Sequence, residues 1–460
     1  MPLNPNIFRA YDIRGIAETD LQQKEAELIG KAAGVYFIEH HGSNIVVGQD
    51  CRISSPQITE AFIKGLTSVG CNVTDLELCT SPMMYFAVCH KNFDGGVAIT
   101  ASHNPKEYNG IKLVGAHAHS ICDQELQTIL KIAKKNEFPV HNGAYQKYDI
   151  FNDYLNKIKE IIKPGKKLKI GIDAGNGIAG PFAPKIFQEL GFEVHPLYCE
   201  PDGNFPNHEA NPEYAENLLD LSKLVKEKKL DLGIGFDGDG DRVGIIDENG
   251  NYIDADKLII LLSSDTLKNY PNSPIVVDIK CSNTVLKEIK KLGGTPVISR
   301  TGHSYIETKM KEVAAPLAGE VSGHIFLGGK YYGFDDGIYA AAKILEIISN
   351  SDKKISEHFT SLPITYTTPE IKAACDDNLK FQLMEKIKTF FENKYKCNNL
   401  DGVRIDFDEN NWGLIRCSNT TPCFTMRFEA ESPEKLAEIQ KTVYNHLRSY
   451  PEISTDWYKY

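Results

Sequence analysis

The sequence predicts an α/β protein: three repeated α/β domains with mixed, mainly parallel sheets, followed by a C-terminal α+β domain. Three observations carry this reading. First, the segments NIVVGQD, KIGIDAGNG and PIVVDIKCS each run from an apolar, β-branched strand to an aspartate, Asp50, Asp173 and Asp278. Each is followed by a helix with apolar residues at helical spacing, a glycine (Gly70, Gly191, Gly293) and a second strand. That βαβ unit requires parallel pairing and a right-handed crossover. Second, a further apolar segment follows in every unit, and each delivers a polar loop: GGVAIT before ASHNP, DLGIGF before DGDGDR, AAPLA before GEVSGH. Third, the pattern changes after about Pro363, where a Lys- and Glu-rich helix near 379–395, a strand GVRIDF, a tight loop RCSNTTPCFTMRFEA and a last helix SPEKLAEIQKTVYNHL read as a small domain with an antiparallel sheet.

A chain of 460 residues is too long for one core, and the punctuation places domains at 1–147, 148–250, 251–362 and 363–460. The charged helix FNDYLNKIKEIIKPGKK opens the second and GIYAAAKILEIISN closes the third. With 42% hydrophobic and 25% charged residues the composition is that of a soluble globular protein. A net charge of -11 argues against nucleic acid or an anionic membrane as partner, but leaves room for a local basic pocket. Eleven cysteines without a CxxC or paired framework fit a reducing compartment. The start MPLNPNIFRAYDIRG has no apolar signal core and no run reaches the length of a membrane span, so a cytoplasmic location is expected.

Chemistry collects in the loops beyond the strand ends, where ligands gather in open α/β sheets. FRAYDIRG sets Arg9 and Arg14 either side of Tyr11. TASHNPKEYNGIK puts Ser102, His103 and Asn104 side by side after a strand; Pro105 fixes a turn, but a bare turn does not account for the cluster. As chain neighbours, Ser102 and His103 are expected to make a poor nucleophile–base pair. DGDGDR offers Asp237, Asp239 and Asp241 at alternate positions, with glycines that let the backbone curl so that hard carboxylate oxygens converge. A divalent cation, magnesium by default beside phosphates, suits it. An EF-hand does not, because Arg242 occupies the glycine position and a strand enters the loop.

GNGIAG, residues 175–180, matches a dinucleotide fingerprint, yet Asp173 stands where a pyrophosphate would approach, so a tight βα turn is the simpler reading. In GEVSGH an extended loop would turn Glu320, Ser322 and His324 to one face, suited to sugar hydroxyls. In RCSNTTPCFTMR, Ser418, Asn419, Thr420 and Thr421 lie between Arg416 and Arg427, a donor set for a dianionic phosphate. A metal, a phosphate grip, a sugar grip and a positioned serine together point to metal-assisted phosphoryl transfer, with Ser102 as nucleophile or phosphate carrier.

The ordered set FRAYDIRG, TASHNP, DGDGDR, GEVSGH and RCSNTTP, spread over nearly the whole chain, resembles the α-D-phosphohexomutases, most nearly the bacterial phosphomannomutase/phosphoglucomutase branch. The resemblance implies four domains around a central cleft. It implies a phosphate on Ser102 that joins Asp237, Asp239 and Asp241 on one magnesium ion. Glu320 and Ser322 would bind sugar hydroxyls, and Arg416, Ser418, Asn419, Thr420 and Arg427 the phosphate that is not reacting. Tyr11, Arg14, His103, Asn104, Lys112, Arg242, Lys280, His303 and His324 match the remaining family positions, with Lys112, His324 and Arg14 as candidates for moving the hydroxyl proton.

The implied reaction interconverts hexose 1- and 6-phosphates of mannose or glucose through a bound hexose 1,6-bisphosphate. The implied partner is a small phosphosugar, with a monomer or small homo-oligomer expected. A phosphoglucosamine mutase is the alternative within the family: the SNT of the phosphate loop favours mannose and glucose, while Val321 replaces the Met many of those members carry. A phosphoserine-type phosphatase is the more distant alternative.

Overall fold

The computed structural model describes residues 3–418 and 421–458. The three repeats fold on one plan. In each, the first strand lies at the centre, the second pairs beside it in parallel, and the third pairs in parallel on its other side. The third then turns back into an antiparallel fourth. In the first sheet these are Asn44–Gln49, Asn72–Leu78, Gly95–Ile99 and Tyr108–Gly115. In the second they are Lys169–Asp173, Glu193–Leu197, Leu232–Phe236 and Val243–Ile246. In the third they are Pro274–Asp278, Thr295–Ser299, Leu317–Gly319 and Ile325–Leu327. The antiparallel fourth strand fixes function, because the hairpin between third and fourth strands carries Ser102, the three aspartates and Glu320 in turn. Ile13–Ile16 and Tyr145–Lys147 extend the first sheet at its two edges, and Tyr252–Ile253 extends the second.

The first strand of each repeat is apolar throughout its centre because a parallel strand covered by helices is buried on both faces: Val46, Ile172 and Val276 are fully buried. The aspartate at its end organises the βα turn. Asp50 accepts the Arg52 N–H at 3.0 Å and the Ser55 hydroxyl at 2.5 Å. Asp173 accepts the Gly175 N–H at 2.8 Å. GNGIAG is accordingly a close-packing turn. A Cβ at Gly177 would stand 3.0 Å from the Gly238 backbone and one at Gly180 would stand 2.1 Å from the Cys199 carbonyl. The helix that follows, Ala183–Glu189, is short.

One apolar cluster runs without a break through the second and third repeats and takes in the helix Ser81–Lys91 of the first. The C-terminal domain has its own core on an antiparallel sheet ordered Tyr366–Thr367, Cys423–Ala430, Trp412–Cys417, Val403–Asp406, Lys396–Asn398. It is flanked by the helices Asp377–Glu392 and Pro433–Leu447, the latter capped by Ser432. It meets the third repeat through polar groups. Arg404, stacked on Trp412 at 3.8 Å, donates to the carbonyls of Ile279 and Cys281 and to the Asn283 side chain.

Arg404→Ala leaves three buried acceptors without a donor and the nearby carboxylate of Glu429 less compensated. The expected outcome is a loss of about 3 kcal/mol in the stability of the C-terminal domain, read as an earlier denaturant midpoint in a fluorescence titration. An unchanged midpoint would show that the arginine does not hold this junction.

Candidate active site

Ser102 ends a strand and begins a hairpin. Its backbone sits at φ 50, a left-handed conformation unusual for a residue with a Cβ. The strain is held locally: the Ser102 N–H donates to the Thr100 hydroxyl at 2.9 Å, and the Asn104 N–H closes a turn on the Ala101 carbonyl at 3.0 Å. The result aims the Ser102 hydroxyl at the second repeat, where it donates to Asp237 Oδ2 at 2.7 Å. His103 Nδ1 also lies 3.1 Å from Ser102 Oγ, so adjacency in the chain does not separate the pair as expected from sequence. Burial, with the guanidinium groups of Arg242 and Arg14, pushes the His103 imidazole well below its ordinary value, leaving it neutral. The serine proton is already committed to Asp237, and no third group completes a hydrolase-type relay among the described contacts of His103.

The two hairpins touch through backbone. A Cβ at Gly238 would stand 2.2 Å from the Ser102 carbonyl oxygen, and Gly240 takes φ 79. Those glycines let Asp237, Asp239 and Asp241 curl inward, and all three are fully buried. Oxygens from the three lie within 4.8 Å of one another. Lys112 Nζ bridges Asp239 Oδ2 at 2.7 Å and Asp241 Oδ2 at 2.6 Å. Ser81, at the start of the helix Ser81–Lys91, donates its hydroxyl to Asp239 at 2.7 Å. Its N–H meets the Asp239 carbonyl at 3.0 Å, placing the metal loop on a helix N-terminus.

Burial and the charges of Asp241 and Asp239 push the Asp237 carboxyl well above the usual range. Burial also works against Asp241, but Lys112, His324 and Arg242 outweigh it and hold that carboxyl well below. Asp239 Oδ1 and Asp241 Oδ1 are buried with no hydrogen-bond partner. Hard carboxylate oxygens that converge while two of them lack a donor fit an oxygen-loving divalent cation.

The opposite wall is built by the third repeat. His324 Nδ1 lies 2.8 Å from Asp335 Oδ2 and 3.6 Å from Asp241 Oδ1, while its Nε2 accepts from Arg242 Nε at 2.9 Å. His303 begins the helix His303–Glu312 after Gly302 and stacks on His324, ring centres 5.7 Å apart. Tyr11 from the first repeat meets the His303 ring edge-on at 5.2 Å. Burial depresses the His303 pKa to about 4, although Asp335 works the other way.

GEVSGH is a turn rather than an extended run, because Gly323 at φ 94 reverses the chain and its N–H returns to the Glu320 carbonyl. The three polar side chains therefore do not share one face. Ser322 donates to Glu320 Oε2 at 3.0 Å and the Gly302 N–H to Glu320 Oε1 at 2.6 Å, whereas His324 faces Asp335 and Arg242.

The C-terminal domain closes the ring. Arg416 Nε donates to Asp401 at 3.0 Å, and the same carboxylate oxygen accepts the Thr301 N–H at 3.2 Å, joining this domain to the loop before His303. Lys280 Nζ lies 3.8 Å from Glu370. The buried Lys380 donates to the carbonyls of Ser418 at 2.6 Å and Thr421 at 3.1 Å. Asn419 and Thr420, expected to bind phosphate, lie outside the described residues. Arg14 donates to the Asn104 side chain at 2.8 Å and pairs with Asp12 at 2.6 Å.

Arg427 belongs to the strand Cys423–Ala430, and its guanidinium donates to the Lys280 carbonyl at 3.1 Å and to Asp256 at 3.3 Å. It thereby braces the Lys280 loop, and those two contacts use only part of its five N–H donors.

Sequence reading missed Ser81, Asp335, Asp401 and Lys380. Ser81 had a signal in TSP, a cap followed by proline before an apolar helix, and Asp335 in the DDG that opens another. Asp401 and Lys380 act only through tertiary contacts that no local pattern encodes.

Models of the four phosphoglucomutase/phosphomannomutase domains match the chain. The alpha/beta/alpha domains I, II and III match residues 5–140, 152–250 and 254–366, and the C-terminal domain matches 370–446. A phosphomannomutase/phosphoglucomutase of Pseudomonas putida is 41% identical over 453 residues, covering 98% of this chain and 97% of that protein. A phosphoglucomutase of Neisseria gonorrhoeae is 38% identical, covering 97% and 98%. The crystal structure of a phosphoglucomutase/phosphomannomutase family protein from Burkholderia thailandensis superposes with a TM-score of 0.91 at 35% identity, covering 97% of this chain and 98% of that one.

Two measurements check the electrostatics. In chelator, Lys112→Met should lower stability by about 3–5 kcal/mol because buried carboxylates lose their paired ammonium. Magnesium chloride should then raise the melting temperature of the variant more than that of the wild type; equal shifts would separate Lys112 from the cation site. For His303, the unfolded chain takes up a proton near pH 6.5 and the folded one only near 4, so acid favours unfolding between those values. Stability should fall with pH across that window by up to about 1.4 kcal/mol per unit more in wild type than in His303→Gln, as read from denaturant midpoints.

Proposed function

The chain belongs to the phosphoglucomutase/phosphomannomutase family, and on that premise we propose that it moves phosphate between O1 and O6 of mannose and glucose by way of a phosphoryl group carried on Ser102. The enzyme is an intramolecular phosphotransferase that interconverts hexose 1-phosphate and hexose 6-phosphate. The observation that carries the Ser102 route is the 2.7 Å contact of its hydroxyl with Asp237, inside a ring of carboxylates with two unpartnered oxygens.

Asp237, Asp239 and Asp241, with a phosphoryl oxygen on Ser102, would hold magnesium, which would supply electrostatic stabilisation of the charge that spreads over the transferring group. The protein's own residues do the rest. Glu320 and Ser322 exchange their mutual hydrogen bond for vicinal sugar hydroxyls. Lys280, Arg416 and the 418–421 loop hold the distal phosphate. The hydroxyl that attacks phospho-Ser102 gives up its proton to a base, for which His324 is suited: Asp335 faces one ring nitrogen and the other accepts from Arg242, a contact the ring can surrender. Lys112 is driven well above its ordinary value, because the charges of Asp239 and Asp241 outweigh burial, so it stays a fixed ammonium and is not the base. His303 stays neutral and polar beside it.

Transfer leaves a hexose 1,6-bisphosphate in the cleft. Turning that intermediate end over end presents the other phosphate to Ser102, which takes it back and releases the isomer. The distal grip must then accept phosphate at either carbon, a demand met by loop N–H groups and a fork of arginine better than by a shaped cage.

Ser102→Ala should lower interconversion of mannose and glucose 1- and 6-phosphates by roughly four orders of magnitude or more, with glucosamine 1-phosphate assayed beside them to rank the sugars. Peptide mapping of the active wild type should place one phosphate on Ser102. Turnover retained in the alanine variant, or release of free phosphate in place of isomer, would remove Ser102 from the mutase route.

A further inference from the structure

We propose that Arg52 is a positioning residue for phosphoryl transfer at Ser102, a role no local motif announces and one that rests on the Ser102 route above. Arg52 lies just beyond the first strand of the first repeat and is 1% exposed. Its guanidinium is spent on the backbone of the serine hairpin. One terminal nitrogen donates to the carbonyls of Ser102 at 2.8 Å and Asn104 at 2.6 Å, the other to those of Pro105 at 2.8 Å and Tyr108 at 3.0 Å. Asp50 balances the charge from 3.2 Å, and the Phe205 ring covers the group at 5.1 Å.

Four carbonyls on one planar fork fix the path of the hairpin over seven residues. The bond to the Ser102 carbonyl matters most, because it fixes the peptide leaving a residue that already sits at φ 50. With that peptide fixed, the direction of the Ser102 side chain follows, and with it the 2.7 Å approach to Asp237. Packing alone does not hold the loop. A cavity of about 180 Å³, lined in part by Ser102, Asn104, Pro105, Phe205 and Ala210, lies against it. Without the guanidinium, four carbonyls lose a charged donor, Pro105 keeping only the Tyr108 N–H, and the serine is free to relax from its left-handed backbone into that space. A lysine reaches the same place but has three tetrahedral donors and no fork, so it cannot satisfy four carbonyls in one plane.

The test compares Arg52→Lys and Arg52→Gln with wild type in three readouts: melting temperature, KM for glucose 1-phosphate, and the single-turnover rate of phosphoryl transfer per phosphorylated Ser102. Misplacing a reacting group by about 1 Å costs on the order of 100-fold. The expected result is therefore a folded variant whose rate per phosphorylated site falls about 100-fold while KM moves by less than about threefold. Lysine should restore part of what glutamine loses. A rate per phosphorylated site within about threefold of wild type in either folded variant would overturn the proposal. Failure of both variants to fold would also overturn it, assigning Arg52 to stability. If wild type itself transfers no phosphate from Ser102, the mutase route fails first, and that result is distinct from both.

Discussion

Three carboxylates are buried at one point, and the rest of the molecule is arranged around that fact. Asp237, Asp239 and Asp241 are each fully shielded from water. Like charges so placed do not remain ionised without compensation. The compensation comes from three directions: the Lys112 ammonium of the first repeat, the N-terminus of the helix Ser81–Lys91, and Arg242 of the aspartate loop itself. Two of the three come from a different domain than the carboxylates. The junction of the first two repeats is thus an electrostatic necessity of the site, and the unpartnered oxygens mark where a cation adds to it.

A repeated topology explains how the chemistry is gathered. In each repeat the third strand leaves the parallel ladder by a hairpin, so the polar residues there are freed from strand pairing at one end of the sheet. Three sheets that use the same device deliver Ser102, the three aspartates and Glu320 to one place. The hairpins specialise through single glycines: Gly238 admits the Ser102 carbonyl, and Gly323 turns His324 away from Glu320.

What the sequence makes legible follows from this. Strand, aspartate, helix and glycine recur in all three repeats because local backbone rules write them, and the three-fold plan is readable from that recurrence. DGDGDR is readable for the same reason, since alternating glycine and aspartate has few purposes. GEVSGH is misread as extended because alternation suggests a strand, while the positive φ of Gly323 is decided by the close approach of the Val243 carbonyl. Arg427 is legible as a cation beside the 418–421 loop, but only the fold shows that Asp256, distant in sequence, also holds it. Arg52 and Lys380 each have a local carboxylate partner, Asp50 and Asp377, but the loops they hold are not legible, because there the partners are main-chain carbonyls and a carbonyl has no letter.

That last class bears on how an acidic chain of net charge -11 builds a cleft for a phosphosugar. Arg404 and Arg427 together cap the carbonyls of Ile279, Lys280 and Cys281, Arg52 caps four carbonyls of the serine hairpin, and Lys380 caps two of the phosphate loop. Each of these cations is buried behind the loop it holds, so the shape of the loop is set before a ligand enters. The cleft's own cations, Lys112, Arg242, Lys280 and Arg416, then need only supply direction, and each is already tethered by a carboxylate that keeps it aimed. Preorganisation of this kind lowers the reorganisation required when phosphate moves.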